Sequence, residues 1–78
     1  MTIEILGPGC ANCERLEHIV RDVLAEQGSD MTIFKVTDDA QIAAYGVMAT
    51  PGLAVNGMVK VSGRVPTVDE VRALLAAA

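Results

Sequence analysis

Cys10 and Cys13, spaced Cys-Ala-Asn-Cys, are the residues whose type and spacing could carry chemistry. Two thiols three positions apart can cycle between dithiol and disulfide, supply half of a zinc site, or simply be buried. Closing so short a loop contributes only roughly 2 kcal/mol in the chain-entropy model, less than a long-range cross-link would, so the pair is poorly placed as a structural staple. Zinc normally takes four protein ligands, and the chain adds only His18 to the two cysteines, so a closed structural site would need two chains.

Redox chemistry asks for something different: a group that stabilises a thiolate near neutral pH, since the thiolate is the species that attacks a disulfide. The free N-H groups and positive dipole end of a helix supply it, and Cys10 lies between the turn Gly7-Pro8-Gly9 and a helical pattern starting at Ala11. Its pKa is expected below the ordinary thiol value of about 8.5. No lysine or histidine adjoins Cys10, so the expectation rests on the backbone. Cys13, one helical turn further on, is then placed to attack a mixed disulfide on Cys10: Cys10 is the nucleophile and Cys13 resolves.

The elements that must hold this pair follow from apolar spacing. Ile3, Ile5 and Leu6 read as a short buried strand. Leu16, Ile19, Val20, Val23 and Leu24 recur at helical spacing through Gln27, with Gly28 as the stop. Met31 to Val36 reads as a second strand, far enough from the first for a parallel crossover. Asp38 with Gln41 resembles a capping box for a short helix to Ala43 or Ala44, halted by Gly46. Asn56-Gly57 joins Leu53 to Val55 and Val59 to Ser62 into a hairpin, and Thr67 with Glu70 caps a last helix bearing Val68, Val71, Leu74 and Leu75. The order βαβαββα describes one α/β domain over residues 1–78, without repeats or long linkers.

Composition narrows the function classes. The chain is 78 residues long and 51% apolar, with Tyr45 and Phe34 its only aromatics, so Val, Ile, Leu, Met and Ala must build the core. Six basic against ten acidic residues leave a net charge of -4, which offers little for phosphate contacts, and nucleic acid is not expected as a partner. The run Met1-Thr2-Ile3-Glu4-Ile5-Leu6 lacks a basic leader and is short for a signal peptide or membrane span, so a cytoplasmic protein without a membrane partner is expected.

A proline ahead of a strand, as at Thr50-Pro51, marks a strand start or a special turn. Gly-x-Gly-Cys-Ala-Asn-Cys at the first helix, Tyr45-Gly46-Val47-Met48-Ala49-Thr50-Pro51 and Ser62-Gly63-Arg64-Val65-Pro66 together resemble the thioredoxin-like superfamily. The nearest likeness is to its small thioredoxin-like or glutaredoxin-like disulfide proteins, of the small redox-active disulfide protein 2 type. That resemblance implies a four-stranded mixed sheet flanked by helices, with Pro51 in cis opposite the cysteines. It also implies that the backbone of Thr50 pairs with an extended substrate segment, a mode that gives affinity with little sequence demand. Gly63 stands where glutaredoxins carry paired glycines that help hold glutathione, but Arg64 follows it. No clear counterpart of the buried acid and lysine of thioredoxins is visible, since Glu4 is a poor candidate and Lys35 lies on another strand.

Side chains around the pair have plain readings. His18 lies about 140° around the helix from Cys13 and is expected on an exposed face. Glu17, one turn after Cys13, sits among charged residues and is expected in solvent. Arg64 reads as an ordinary surface arginine, and Met48 and Met58 as packing. The expected function is therefore a thiol-disulfide oxidoreductase, an electron carrier without a cofactor, which reduces protein or small-molecule disulfides. A flavin-linked reductase or a thiol pool would recycle it, and the protein is expected to be a monomer. The alternatives are a carrier of Cu(I) or Hg(II) on the same CxxC, and a thioredoxin-fold interaction module without turnover. Soft-metal domains of the first kind run βαββαβ and lack a proline placed like Pro51.

Overall fold

A computed structural model of the chain describes residues 2–77. Strand β1 (Thr2–Leu6) leads into helix α1 (Ala11–Gln27), followed by β2 (Thr32–Val36), α2 (Asp39–Ala44), β3 (Gly52–Val55), β4 (Met58–Ser62) and α3 (Val68–Ala76). The sheet order is β2-β1-β3-β4, with β1 parallel to β2, and β3 antiparallel to both β1 and β4. This is the expected α/β fold with a four-stranded mixed sheet.

Alternation along β1 divides the interior in two. Ile3 and Ile5 face one way, with Leu53 and Val55 of β3, and pack against Leu16, Val20, Val23 and Leu24 of α1 and Val71 and Leu75 of α3. Leu6 faces the other way, onto Ile42 of α2 and Val47, with Val36, Tyr45 and Val59 closing round them. Two helices therefore cover one face and a single short helix the other. Val68 opens α3 but stays 42% exposed, because the first position of the helix precedes the turn that reaches the core.

One irregularity makes β4 serve both faces. Ala54 pairs with Val59 and Leu53 with Val61, so Lys60 is an extra residue in the ladder. In a regular strand Val59 and Val61 would share a face; across this bulge Val61 joins the Ile3 cluster and Val59 the Leu6 cluster. The hairpin ahead of it needs positive φ at both turn residues, and Asn56 (φ 52°) and Gly57 (φ 83°) provide it in the manner of a type I′ turn. Asn56 also ties the turn to β1, donating its N-H to the Thr2 carbonyl at 2.8 Å.

Helix ends follow the expected chemistry with one difference. Gly28, at φ 64°, closes α1, and Ser29 N-H reaches back to the Leu24 carbonyl at 2.9 Å. The box on α3 is complete: Thr67 Oγ1 accepts from Glu70 N-H, and Glu70 Oε1 accepts from Thr67 N-H, each at 3.1 Å. On α2 only the first half forms, with Asp38 Oδ2 accepting from Gln41 N-H at 3.2 Å.

Arg64 joins the α3 box from outside, donating through both guanidinium nitrogens to Glu70 at 2.9 and 2.6 Å. It is thus a specific tie between the turn after β4 and the start of α3, not the ordinary surface arginine expected from the sequence. The same bonds hold the Glu70 carboxyl at about 2, against an ordinary 4.5, with the Arg64 hydrogen bonds the largest cause and the Thr67 N-H next. A carboxylate whose pKa is depressed by folding contributes stability above its unfolded pKa and loses it as pH falls through its folded one. Denaturant midpoints are therefore expected to fall from about pH 4.5 towards about pH 2, and Glu70→Gln to fall less steeply over that window while being less stable than the parent at neutral pH. Equal slopes for parent and variant would show that the Arg64 to Glu70 tie does not respond to folding.

Candidate active site

Cys10 is the N-cap of α1, with extended backbone (φ -72°, ψ 167°), and its sulfur accepts the Cys13 N-H at 3.3 Å. The Cys10 carbonyl takes the first helical bond, from Glu14 N-H at 3.0 Å. Cys10 thus sits at the helix entrance expected from the sequence, and its sulfur satisfies one of the orphan donors there. Its side chain is exposed, whereas Cys13 is 5% exposed. The two are joined as a disulfide, with Cα atoms 5.1 Å apart, within the usual range for such a bond.

What seats Cys13 so deeply is a missing side chain. A Cβ placed on Gly7 would collide with Cys13 Sγ and come within 3.3 Å of Cys13 Cβ. Gly7 has no left-handed backbone, so space, not conformation, is what the position demands. Its N-H donates to the Val36 carbonyl at 2.9 Å, which continues the β1 to β2 ladder one residue past Leu6 and fixes the backbone under the sulfur. Gly9 does need glycine's freedom: φ of 90° turns the chain from the sheet into the helix.

The other side of the disulfide is built from β3 and β4. The Thr50–Pro51 peptide bond is cis, Pro51 is buried, and Thr50 is exposed. Thr50 Cβ lies 3.8 Å from where a Gly7 Cβ would stand, so the proline turn meets the cysteine turn directly. Gly63, at φ 78°, donates its N-H to the Pro51 carbonyl at 2.9 Å, and its bare Cα faces Ala49, where a Cβ would be 3.3 Å from the alanine Cβ. Cys10, Cys13, Thr50, Pro51 and Gly63, distant in sequence, share this one end of the sheet.

A small cavity of about 50 Å³ opens beside Cys13, bounded by Gly7, Glu17, Lys35 and Thr37 among others. It has room for water but not for a substrate of any size. Glu17 bonds Lys35 at 2.9 Å and Arg21 at 2.8 Å, and its side chain is 18% exposed. The hydrogen bond from Lys35, and then that from Arg21, hold its carboxyl below the ordinary range. The expectation of a solvated Glu17 is corrected: as the residue four after Cys13, it shares a helix face with the buried sulfur. That spacing was the available signal. Nothing local pointed to Lys35, which β2 brings across.

Other expectations divide. His18 is exposed, as its position on the helix implied. Met48 and Met58 do not pack: they are 98% and 64% exposed. Glu4 is 9% exposed; one carboxylate oxygen takes the Thr2 hydroxyl at 3.1 Å and the other has no partner, but it points to the sheet face opposite Ile5 and the Cys13 cavity. Among the described residues no group of three or more His, Cys, Asp or Glu could hold a metal ion, so soft-metal binding would have only the two cysteines to use. No helix among them is long and apolar enough to cross a membrane.

Comparison with known proteins agrees with this geometry. A family model described as a thioredoxin domain matches residues 1–76. The chain is 43% identical over 75 residues to a thioredoxin of Methanothermobacter thermautotrophicus, covering 96% of this chain and 97% of that one. It is 36% identical over 72 residues to a thioredoxin of Methanocaldococcus jannaschii, covering 92% and 83% respectively. Among solved structures it is similar to a thioredoxin-like protein crystallised as a single-site mutant, with a TM-score of 0.53, 26% identity, and coverage of 95% of this chain and 99% of that one. Those relatives and the bonded CxxC pair favour redox chemistry over metal carriage: the chain belongs to the thioredoxin family and is a thiol-disulfide oxidoreductase.

Proposed function

We propose that this single domain acts as a cytoplasmic, monomeric dithiol donor in which Cys10 attacks and Cys13 resolves. The observation that carries the assignment is the unequal exposure of the two sulfurs: Cys10 open at the helix entrance, Cys13 buried behind it. In the reduced protein the Cys10 thiolate attacks one sulfur of a substrate disulfide, forming a mixed disulfide and expelling the other sulfur as a thiolate. The Cys13 thiolate then attacks Cys10 Sγ, forming the Cys10 to Cys13 bond and releasing the second substrate sulfur. Two electrons pass to the substrate, and its two thiolates take up protons.

The Cys13 N-H, directed at the Cys10 sulfur, supports the nucleophile assignment, since a donor held there favours the anion. Thr50 and Pro51 are proposed to receive the substrate as an extended segment, with Gly63 holding their loop in place through the Pro51 carbonyl. A flavin-linked reductase or a thiol pool restores the dithiol.

With Cys13→Ser the mixed disulfide has no resolving thiol, so partners are expected to accumulate covalently on Cys10, detectable by non-reducing mass analysis. Cys10→Ser is expected to abolish exchange, and exchange that survives it would sink the assignment. Gly7 offers a separate test. A methyl group there meets a Cys13 sulfur that cannot turn away while bonded to Cys10, but can turn once reduced. Gly7→Ala should therefore penalise the oxidised form by about 1–3 kcal/mol, as overpacking does, and raise the reduction potential by about 20–65 mV. An unchanged potential measured against a glutathione or dithiothreitol couple would show that Gly7 does not set the fit of the sulfur.

A further inference from the structure

A segment that pairs with Thr50 is held only as firmly as the backbone around Thr50 is held. Among the described residues neither the N-H nor the carbonyl of Thr50 bonds another backbone group, and the residue is exposed. Its neighbours are placed from one side. The Pro51 carbonyl accepts the Gly63 N-H at 2.9 Å, one residue beyond Gly52 with Ser62, the last pair of the β3 to β4 ladder. The bare Cα of Gly63 faces Ala49. Gly63 therefore bears on the residues at both sides of Thr50.

Gly63 has little to fix it in turn. It is exposed, sits at φ 78°, and as glycine has more conformations to lose than any other residue. The residues that follow, Arg64 to Pro66, belong to neither strand nor helix, and fully buried Pro66 anchors their far end. Gly63, Val65 and Pro66 have no polar side chain, so Arg64 alone can bond sideways from this segment. It does so through both guanidinium nitrogens, to Glu70 at 2.9 and 2.6 Å, and the Thr67 box fixes Glu70. A two-pronged contact between planar groups sets direction as well as distance. It closes a ring from residue 64 to residue 70 directly after Gly63, and so limits the torsions open to that glycine. An exposed ion pair adds little to stability, but this one lies one residue from the bond that holds Pro51.

Resting on the assignment of Thr50 and Pro51 to substrate recognition, we infer that Arg64, held by Glu70, is a positioning residue for the exchange reaction. It fixes Gly63, and through Gly63 the two residues flanking Thr50, in the arrangement with which an extended segment pairs. Arg64 acts without touching the substrate. When it is lost, Gly63 explores other torsions, and an incoming segment has to order the loop as it binds, which lowers affinity. A disulfide too small to pair with Thr50 does not depend on that ordering.

Single-turnover rates of the chemically reduced full chain test this without a recycling partner, measured up to millimolar concentrations of a synthetic cystine peptide and of 2-hydroxyethyl disulfide. Arg64→Gln is expected to raise the half-saturating peptide concentration roughly three- to fivefold, the upper end corresponding to about 1 kcal/mol. Its limiting rate with the peptide and its rate with hydroxyethyl disulfide are expected to stay within about twofold of the parent. Glu70→Gln should give the same rise, and the double variant no more than either, because one contact is removed in all three. Arg64→Lys, which keeps the charge without the fork, is expected between parent and Arg64→Gln. Thr67→Ala separates positioning from stability: it weakens the α3 cap and should lower the denaturant midpoint at least as far as Arg64→Gln does, with peptide half-saturation unchanged. Three results overturn the positioning role while leaving the substrate reading of Thr50 and Pro51 intact: unchanged half-saturation in Arg64→Gln, additive effects of the two single variants, or an equal rise in Thr67→Ala. A fall in rate with both probes alike assigns Arg64 to the integrity of the fold and overturns the role as well. A parent that shows no saturation with the peptide overturns the substrate reading, and the positioning role with it.

Discussion

The contact on which this small structure depends is the seating of the Cys13 sulfur directly on the backbone of Gly7. The connection from β1 to α1 is short, so the first turn of the helix necessarily lies over the end of the strand it has just left. With the disulfide closed, a Cβ at Gly7 would run into the Cys13 sulfur and press that turn away from the sheet. Because none is present, α1 descends far enough for Leu16, Val20 and Val23 to be fully buried against Ile3 and Ile5. The core and the redox pair are consequences of the same approach. The burial of Cys13 and the exposure of Cys10 follow from where the helix begins: its cap faces out, and the residue one turn later faces the strand.

On the antiparallel side a chain of local devices carries the proline turn to the same place. The bulge at Lys60 rotates β4 so that Val59 and Val61 anchor opposite clusters, and the strand is gripped from both faces just before Gly63. Gly63 then bonds the Pro51 carbonyl, and one residue later Arg64 bonds Glu70 inside the capping box of α3. The loop that presents Thr50 is thus tied through Gly63 and Arg64 to a helix that packs on α1. Each bond is modest, with caps contributing about 1 kcal/mol and exposed ion pairs about 0–1 kcal/mol, but they act in series on one short segment.

Much of this was legible in the sequence because it is encoded by local chemistry. The glycine turn and apolar spacing gave α1 its bounds, Asn56-Gly57 its hairpin, and Thr67 with Glu70 its box; family resemblance added the four-stranded mixed sheet flanked by helices. What escaped was set by pairs that only the sheet brings together. Lys35 reaches Glu17 because β2 lies beside β1, and Arg64 finds Glu70 because the turn after β4 folds back on α3. The register shift at Lys60 leaves no residue signature, since valine, lysine and valine read as ordinary alternation. Met48 misled for a related reason: apolarity predicts burial when a residue lies in a periodic element, and Met48 lies in a loop whose neighbours set its exposure.

The ion pair beside Cys13 has a meaning that its strength does not convey. A part-exposed pair such as Glu17 with Lys35 contributes little to stability, and the cost of ordering two long side chains consumes much of that. Its charge balance is another matter. An uncompensated carboxylate next to the buried sulfur would disfavour a second negative charge there and hold Cys13 as an unreactive thiol. Lys35 and Arg21 both bond Glu17, so the group as a whole carries one net positive charge. The helix can therefore keep an acidic residue on the Cys13 face without that residue opposing the thiolate that the proposed resolving step would use. Net acidity of the chain and reactivity of its buried cysteine are compatible because the compensation is made at this one carboxylate, within reach of the sulfur it would otherwise suppress.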